Sequence, residues 1–519
     1  MKLSPSSPAP LALAISLFAA AAAQAAVRLP ALIGDNMVLQ AEAKTNVWGW
    51  ADPAEKVTVT FADKKGETTA GPDGKWSVRL ADLKSGTAGE LTIAGTNTIA
   101  LKNVVVGEVW VASGQSNMEF HVDEGMNKEA EIAGANFPAI RMFTLPKTAK
   151  AEPQEDCAGT WEVCTPEAVP HFSAVGYFFA RHLHETLKQP VGVIHNSWGG
   201  TPAEHWTPAP IIEADPDFKP IADNWAKTVA NYPKAREAYD KAMEDWKAAA
   251  EKAKADGMPE PKRPGGPPRG GDAFGGPGCL YNGMIAPVVP CTIRGAIWYQ
   301  GESNASTARL YRKLFPTMIL NWRRAWMHGG LAGSEMPDFP FLFVQLANFK
   351  ARHEQPTESD WAALREAQLM TLEMPHTGMA VAIDVGDATD IHPKNKQEVG
   401  RRLALNAEAT VYYHDQEFSG PLYGGSQVEE GKIRLSFRNA EGMKSKDGGP
   451  LKGFALAGED RVFHWAEAEI QGDHIVVTSK DVPAPVSVRY AWADNPECNL
   501  INAAGLPASP FRSDDWTAK

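Results

Sequence analysis

One short polar segment, GQSNM at 114–118, follows an apolar run and has the residue types of a nucleophile turn. Ser116 in a tight turn after a strand exposes its hydroxyl, while nearby backbone N–H groups point at a bound oxyanion. The α/β-hydrolase elbow requires a glycine two residues after its serine, and this chain has Met118 there, which disfavours that fold. By chemistry alone, a serine in a turn is usually only a turn residue.

Two further polar segments, SWGGTP at 197–202 and WYQGESN at 298–304, also follow apolar runs. The paired glycines of the first let the backbone approach a ligand closely. Pro202 suits the first turn of a helix, so backbone N–H groups there can face an anion. In the WYQGESN segment an Asn or Gln amide could donate to an oxyanion, whereas we expect Glu302 to be a buried scaffold. Taken alone, the glycine pair is better explained as a tight connection.

The segment DVGDATDIHP at 384–393 contains the best candidate for a base. Pro393 keeps His392 out of the α region and begins the next helix, so the imidazole has a pre-set direction. A lone histidine is more often structural, but the carboxylates of Asp390 and Asp387 could orient this one as a general base. His195 and His205 flank the glycine pair and could reach the same cleft.

The elements between these segments predict how they are brought together. Apolar strands alternate with amphipathic helices, which argues for a parallel sheet covered by helices on both faces. Ligands of such sheets bind beyond the carboxyl ends of the strands, where the four polar segments lie. The predicted strands are 108–113, 190–196, 295–299, 339–345 and 379–384, and the predicted helices include 174–187, 310–326 and 395–412.

Other regions flank or interrupt this α/β part. Short alternating runs at 27–106 predict a small antiparallel sandwich, and a second β region is predicted at 416–519, which places the α/β domain at 107–415. An insertion at about 213–278 contains a charged helix, which Pro233 should kink, and a Pro/Gly-rich segment. We expect its aromatic stripe to pack on the core, with a lid over the site as the alternative. The stripe consists of Trp225, Tyr232, Tyr239 and Trp246.

The composition limits the compartment and the partners of the chain. Lys2 is the only charge in the first 26 residues, and an apolar stretch precedes the A-x-A pattern at 23–25, so we predict a signal peptide at 1–25. No later segment is long and apolar enough to span a membrane, and we expect export, in a bacterial cell to the periplasm. The net charge of −12 argues against a nucleic-acid partner, because such partners are bound by basic surfaces.

The cysteines and histidines argue against a resident metal. Local disulfides are conceivable for Cys157–Cys164 and Cys279–Cys291, which would leave Cys498 free, but the sequence does not fix the connectivity. The chain has no CxxC pair and no His/Cys cluster at zinc spacing. We therefore expect no metal and no cofactor.

The four polar segments together resemble the SGNH hydrolases, and within them the sialate O-acetylesterase-like branch. SWGGTPAEHW at 197–206, DIHPKNKQEVGRRLA at 390–404, MVLQ at 37–40, VWGWADP at 47–53 and SPFRSDDW at 509–516 add to the resemblance, which covers essentially the whole mature chain. It implies a flavodoxin-like three-layer α/β/α central domain with accessory β-sandwich regions at both ends. It also implies hydrolysis of O-acetyl esters on sugars.

The resemblance also implies roles for individual residues. Ser116 is the nucleophile and His392 the base. The oxyanion donors are the backbone N–H groups of Ser116, Gly199 and Gly200 together with the side chain of Asn304. Further polar groups expected to contact substrate are those of Gln115, Gln300, Glu302 and His205.

The third member of the triad departs from the broad SGNH pattern. That pattern has an aspartate three residues before the histidine, and this chain has Thr389 there. With one residue between them, Asp390 and His392 point to the same side of an extended backbone, so we predict Asp390. The alternatives are Asp387 and a Ser–His dyad oriented by a backbone carbonyl.

The sequence thus predicts an exported serine esterase that removes acetyl groups from sugars through an acetyl-enzyme. Acetylated hemicellulose, such as acetyl-xylan or acetyl-xyloglucan, is the alternative to O-acetylated sialic acid as substrate. A non-catalytic carbohydrate-binding protein is the alternative from another functional class, since the chain has 16 tryptophans and two β regions.

Overall fold

The computed structural model describes residues 26–268, 270, 274–329 and 338–516. The α-helices in this part are α1 Ser116–Glu119, α2 Lys128–Ala133, α3 Ala174–Leu187, α4 Ala209–Ala214, α5 Lys219–Ala255, α6 Ala308–Gly329, α7 Asp360–Met370 and α8 Lys396–Thr410. The strands are β1 Val38–Gln40, β2 Thr45–Trp50, β3 Lys56–Phe61, β4 Lys64–Thr69, β5 Lys75–Leu80, β6 Ala88–Ala94, β7 Thr98–Gly114, β8 Phe137–Thr144, β9 Trp161–Cys164, β10 Val191–Ser197, β11 Gly295–Tyr299, β12 Phe341–Gln345, β13 Thr377–Val381, β14 Leu422–Glu429, β15 Lys432–Arg438, β16 Lys444–Ser445, β17 Phe454–Ala457, β18 Phe463–Trp465, β19 Glu467–Gln471, β20 His474–Thr478, β21 Ser487–Tyr490, β22 Leu500–Ile501 and β23 Phe511–Arg512.

A mixed central sheet carries the four polar segments. Its strand order is β13-β12-β11-β7-β10-β8-β9, and each neighbouring pair is parallel except β8 with β9. Trp110 packs against Phe179 of α3, whereas Trp298 packs against Phe315 of α6. The register pairs Trp298 with Ser113, three positions from Trp110, so the two tryptophans face opposite sides of the sheet. Helices therefore cover both faces, and the predicted α/β class is confirmed.

Strand β7 joins the N-terminal β region to the central sheet. It is 17 residues long and pairs first with β6 and β1, then with β10 and β11. The predicted domain boundary at 106/107 lies inside this strand. The N-terminal region consists of the short strands β1 to β6 and the first part of β7, and the predicted packing of this region as a sandwich stays a prediction.

The C-terminal region forms small antiparallel sheets, with the orders β14-β15-β20-β19, β18-β17-β21-β23 and β16-β22. Arg365 of α7 is fully buried and donates to the carbonyl oxygens of Leu346 and Ala347, which follow β12. The same guanidinium donates to the carbonyl oxygens of Ala493 and Asp494. This side chain therefore ties the C-terminal region to the α/β part, while its predicted sandwich packing stays a prediction.

The aromatic stripe of the insertion does not pack on the core, and that expectation was wrong. Helix α5 runs through Pro233 as one element, and none of its residues is fully buried. The Pro/Gly-rich segment turns back along the helix instead. A Cβ added to Gly276 would lie 2.8 Å from the ring of Trp225, and Trp246 Nε1 donates to the carbonyl of Pro261 at 2.9 Å. The glycines allow this segment to cover the stripe closely.

The five cysteines are free in this structure, so the two local disulfides considered from sequence are not formed. The thiol of Cys164 instead faces the carbonyl of Ala135, and that of Cys291 faces the carbonyl of Thr292. The predicted signal peptide at 1–25 lies outside the described residues. Among the described residues, no helix combines the length and apolar character needed to cross a bilayer.

Candidate active site

The ends of three neighbouring strands bring the first three polar segments together. Gly114 at the end of β7 lies beside Ser197 of β10 and Tyr299 of β11 in the parallel register. Gly114 has a φ of +141°, and a Cβ there would lie 2.2 Å from the carbonyl oxygen of Tyr299. Only glycine fits both restrictions. The chain can therefore turn sharply into α1, which begins at Ser116.

The hydroxyl of Ser116 is paired with His392. The distance from Ser116 Oγ to His392 Nε2 is 2.9 Å, and the imidazole lies over the ring of Phe120 with centroids 6.5 Å apart. The imidazole side chain is 36% exposed. When Nε2 of the neutral imidazole accepts a hydrogen bond from the serine hydroxyl, the one ring proton is on Nδ1. This pair has the geometry of a nucleophile with its general base.

Asp390 is the carboxylate beside His392. Its Oδ1 lies 3.4 Å from His392 Nδ1 and accepts the backbone N–H of His392 at 2.8 Å. Asp387 has different partners, because its Oδ1 accepts the N–H and the hydroxyl of Thr389 at 2.7 and 2.8 Å. These bonds lower the pKa of Asp387, the backbone bond most. The loop therefore offers Asp390 to the imidazole and uses Asp387 to shape its own turn.

The backbone N–H of Gly199 already has a partner. It donates to Glu119 Oε2 at 2.6 Å, and Glu119 Oε1 lies 2.5 Å from Lys147 Nζ. A Cβ on Gly199 would lie 3.1 Å from Ser116 Cβ, which puts this N–H next to the nucleophile. Gly200 is exposed and has a φ of +70°. The predicted oxyanion donor is thus adjacent to Ser116 but bonded to a carboxylate.

The side chain of Asn304 joins the second and third polar segments. Its Oδ1 accepts the N–H of Ala203 at 2.9 Å and the amide of Gln300 at 2.7 Å, while its Nδ2 donates to Glu204 Oε2 at 3.0 Å. Burial raises the pKa of Glu204, and the bond from Asn304 opposes that rise. Because an amide nitrogen carries two hydrogens, one donor of Asn304 is not used by Glu204.

Gln115 and Gln300 are buried among protein groups. Gln115 Oε1 accepts the backbone N–H groups of Gly301 and Ser303 at 3.4 and 3.2 Å. Gln300 Oε1 accepts the hydroxyl of Tyr311 at 2.9 Å. These contacts hold the third polar segment against the nucleophile turn. The geometry gives both residues a scaffold role, and their predicted contact with substrate stays a prediction.

Glu302 and the two histidines near the glycine pair also face the protein. Glu302 Oε1 accepts the amide of Asn117 at 2.5 Å, and burial raises the pKa of Glu302. His205 is buried, with Nε2 3.1 Å from the carbonyl of Gly275 in the insertion. Burial lowers the pKa of His195 to about 3, so this imidazole is neutral in the fold. These contacts agree with a scaffold role for Glu302, and the predicted contact of Glu302 and His205 with substrate stays a prediction.

Comparisons with known proteins agree with the resemblance seen in the sequence. A family model described as a carbohydrate esterase, sialic acid-specific acetylesterase, matches residues 273–408. The sialate O-acetylesterases of Rattus norvegicus and Homo sapiens are each 30% identical to this chain. The alignments cover 97% and 96% of this chain and 98% and 95% of those proteins. The chain belongs to the sialate O-acetylesterase family.

A solved structure supports the same assignment for this family member. A carbohydrate acetylesterase from Xanthomonas citri is 36% identical to it, with a TM-score of 0.79; the match covers 94% of this chain and 100% of that one. The protein is therefore a carboxylic ester hydrolase, a carbohydrate acetylesterase of the sialate O-acetylesterase type, whose substrate is an acetylated sugar. These findings favour the esterase over the non-catalytic sugar-binding protein.

Four side chains of this esterase's site were not predicted from the sequence: Asn117, Glu119, Lys147 and Lys396. Glu119 directly follows the GQSNM segment and Asn117 lies within it, so their position next to Ser116 was a usable signal. Lys396 lies in the DIHPKNK segment, but nothing in the sequence indicates that its side chain is buried. Lys147 has no motif around it. The contacts of these side chains join distant parts of the chain, which local pattern analysis does not detect.

One group of potential metal ligands is present in the described part of the esterase. His121, Asp123 and His171 offer ligand atoms within 4.8 Å of one another, and His171 Nδ1 lies 3.2 Å from Asp123 Oδ2. The imidazole of His171 is largely exposed, and the ion pair with Asp123 is a sufficient reason for the proximity. The expectation that the enzyme needs no metal stays a prediction.

Proposed function

We propose that this esterase removes O-acetyl groups from sugars by a serine mechanism with Ser116, His392 and Asp390 as its triad. The observation that carries the proposal is the 2.9 Å pairing of Ser116 Oγ with His392 Nε2, with Asp390 Oδ1 at the other ring nitrogen. Nucleophile, base and orienting carboxylate thus follow one another in the order that activates a serine.

The geometry supports a two-step reaction. Ser116 Oγ attacks the acetyl carbonyl carbon while His392 Nε2 takes the hydroxyl proton. The tetrahedral intermediate collapses, the sugar leaves with that proton, and the acetyl group stays on Ser116 as an ester. His392 then removes a proton from water, which attacks the acetyl carbon; the bond to Ser116 Oγ breaks, His392 returns the proton to Oγ, and acetate is released. Asp390 stabilises the imidazolium formed in both steps, because its charge lies beside Nδ1.

Negative charge on the carbonyl oxygen needs preorganised donors, each worth about 3–4 kcal/mol in comparable sites. The proposed donors are the backbone N–H groups of Ser116, Gly199 and Gly200 and the second N–H of the Asn304 amide. For Gly199 to donate, the carboxylate of Glu119 must leave its 2.6 Å contact. We propose that the acetyl carbonyl displaces Glu119, which keeps its ion pair with Lys147.

The remaining features of the proposal concern architecture and location. The covered central sheet supports an SGNH-type domain at 107–415, in which the nucleophile follows one strand and the histidine comes from a later loop. The predicted signal peptide supports export to the periplasm. Trimming of the N-terminus at Ala25 in periplasmic material, read by mass spectrometry of the intact protein, would test this; full-length protein retained in the cytoplasm would contradict it.

The substrate and the mechanism are tested together by acetate release. The panel contains O-acetylated sialic acids, acetyl-xylan and acetyl-xyloglucan, each incubated with wild type and with Ser116→Ala. We expect the highest kcat/KM on O-acetylated sialic acids and no activity of the variant on any substrate. A preference for the hemicelluloses would revise the substrate but keep the mechanism. Activity of the variant on the preferred substrate would overturn the mechanism.

A further inference from the structure

The residue after the nucleophile connects three parts of the active site. Asn117 is buried, and its Nδ2 donates to Glu302 Oε1 at 2.5 Å and to the carbonyl of Ile391 at 3.0 Å. Its Oδ1 accepts from Lys396 Nζ. Ile391 is the residue before His392. One amide therefore bridges the backbone next to Ser116 and the backbone next to His392.

Lys396 is an unusual partner for that amide because it is fully buried. Its ammonium lies 4.7 Å from the ring centroid of Phe120 and 5.3 Å from that of Tyr299. Burial lowers the pKa of Lys396 to about 7, against the opposing effects of Glu302, Asp390 and Glu124. Burying a lysine is costly unless the group is paired, so this position has a specific use for it.

The role of Lys396 at this position follows from the hydrogen bonds that its side chain can make. The ammonium group of Lys396 has three hydrogen-bond donors and no acceptor. It therefore requires the oxygen of the Asn117 amide, and not the nitrogen, to face it. With the oxygen fixed, both amide hydrogens point at Glu302 and at the carbonyl of Ile391. A flipped amide would place a donor against a donor at Lys396 and an oxygen against a carbonyl oxygen at Ile391.

We propose that Lys396 is a positioning residue that fixes the amide of Asn117 and thereby holds His392 at proton-transfer distance from Ser116. The inference rests on the proposed serine mechanism and adds a residue to it that touches neither substrate nor the reacting atoms. Misplacement of a reacting group by about 1 Å can cost about a hundredfold in rate. Loss of the lysine should therefore lower kcat and leave KM nearly unchanged.

The experiment compares Lys396→Met, Asn117→Ala and the double variant. Lys394→Met is the matched control, because Lys394 is exposed and lies two residues before Lys396, in the loop that leads into α8. Turnover of p-nitrophenyl acetate gives kcat and KM, and the rate of inactivation by a serine-directed phosphonate reports on Ser116 alone. Circular dichroism and thermal melting check that each variant is folded.

We expect Lys396→Met to lose about 10- to 100-fold in kcat and in inactivation rate, with KM within about twofold of wild type. Because the lysine acts through Asn117, the double variant should be no slower than Asn117→Ala. The two effects would then not add, and this non-additivity measures the coupling between the two residues. The conservative Lys396→Arg should recover part of the lost rate.

Two results would overturn the inference: unchanged kcat in folded Lys396→Met, or additive losses in the double variant. If Lys396→Met does not fold, Asn117→Asp is the deciding variant. It keeps the acceptor for Lys396 and removes the donor to the carbonyl of Ile391. Wild-type kcat in Asn117→Asp would then contradict the inference. Failure of the serine mechanism is recognised separately, by activity in Ser116→Ala.

Discussion

The two sides of the active site are positioned by different means. On the nucleophile side, Ser116, Gly199 and Asn304 follow β7, β10 and β11, which are direct neighbours in the sheet. On the other side, His392 lies in the loop after β13, an edge strand separated from β7 by β11 and β12. The first side is fixed by the register of a buried parallel sheet. The second depends on a few hydrogen bonds made by a partly exposed loop.

The two sides of the site should therefore respond differently to substitution. Many backbone hydrogen bonds between buried strands hold the nucleophile side together. A single side-chain substitution there should remove a reacting group without moving the groups around it. The loop side is held to the nucleophile turn through the bond from Asn117 to the carbonyl of Ile391, and within the loop Asp390 accepts the backbone N–H of His392. Substitutions in this loop should change both the position of His392 and the charge beside it.

The largest effect is expected on the nucleophile side, from Ser116→Ala. It removes the attacking oxygen without disturbing the sheet, so we expect turnover to fall by more than about a thousandfold, as in comparable triad deletions, with an unchanged melting temperature. Acetate release measures the loss. Ser303→Ala, an exposed serine on a neighbouring turn, is the control and should retain full activity. Turnover above about a tenth of wild type in Ser116→Ala would remove Ser116 as the nucleophile.

A smaller effect is expected on the loop side, from Asp390→Asn. The amide keeps the shape but removes the charge beside His392 Nδ1, so we expect turnover to fall by about a hundredfold or more. Asp387→Asn is the matched control and should lose much less, because Asp387 bonds to Thr389 and not to the imidazole. If Asp390→Asn stays within about fivefold of wild type while His392→Ala is inactive, a Ser–His dyad replaces the triad.

An increase in rate is expected from Glu119→Gln, which tests whether Glu119 occupies an oxyanion donor. Hydrogen bonds to charged groups are stronger than neutral ones by about 1 kcal/mol, so the amide should release the N–H of Gly199 more readily. We expect kcat/KM for p-nitrophenyl acetate to rise by about fivefold. Glu129→Gln, an exposed residue of α2, is the control. A fall of about tenfold would show that Glu119 assists the reaction directly.

No effect on rate is expected from metal removal. The proposed mechanism uses side chains and backbone N–H groups alone, and the ligand group of His121, Asp123 and His171 contains none of them. Activity should be the same before and after dialysis against EDTA. A loss of activity that zinc restores would contradict this expectation and direct attention to that group.

The comparison also explains which parts were predictable from sequence. Strand β11 and helix α3 were predicted with their observed bounds, because each is an apolar or amphipathic run with clear turn residues on both sides. The segments of Ser116 and His392 were recognised for the same reason: both are polar, and both sit beside such runs. Their mutual 2.9 Å contact spans 276 positions and needed the structure.

What the sequence missed depends on long-range contacts. The bond from Gly199 to Glu119 and the burial of Lys396 result from how the turns meet, and no local pattern encodes them. The aromatic stripe of α5 was recognised as a stripe but assigned to the wrong partner. Periodicity shows that Trp225 and Trp246 share a face, and it does not show what covers that face.

The most direct test of the central claim is the site of covalent labelling. Wild type and His392→Ala are incubated with a serine-directed phosphonate, digested, and mapped by peptide mass spectrometry. We expect one label per chain, located on Ser116, with complete loss of activity on labelling, and labelling slowed by more than about a hundredfold in His392→Ala. A label on another residue, or full activity in protein labelled at Ser116, would contradict it.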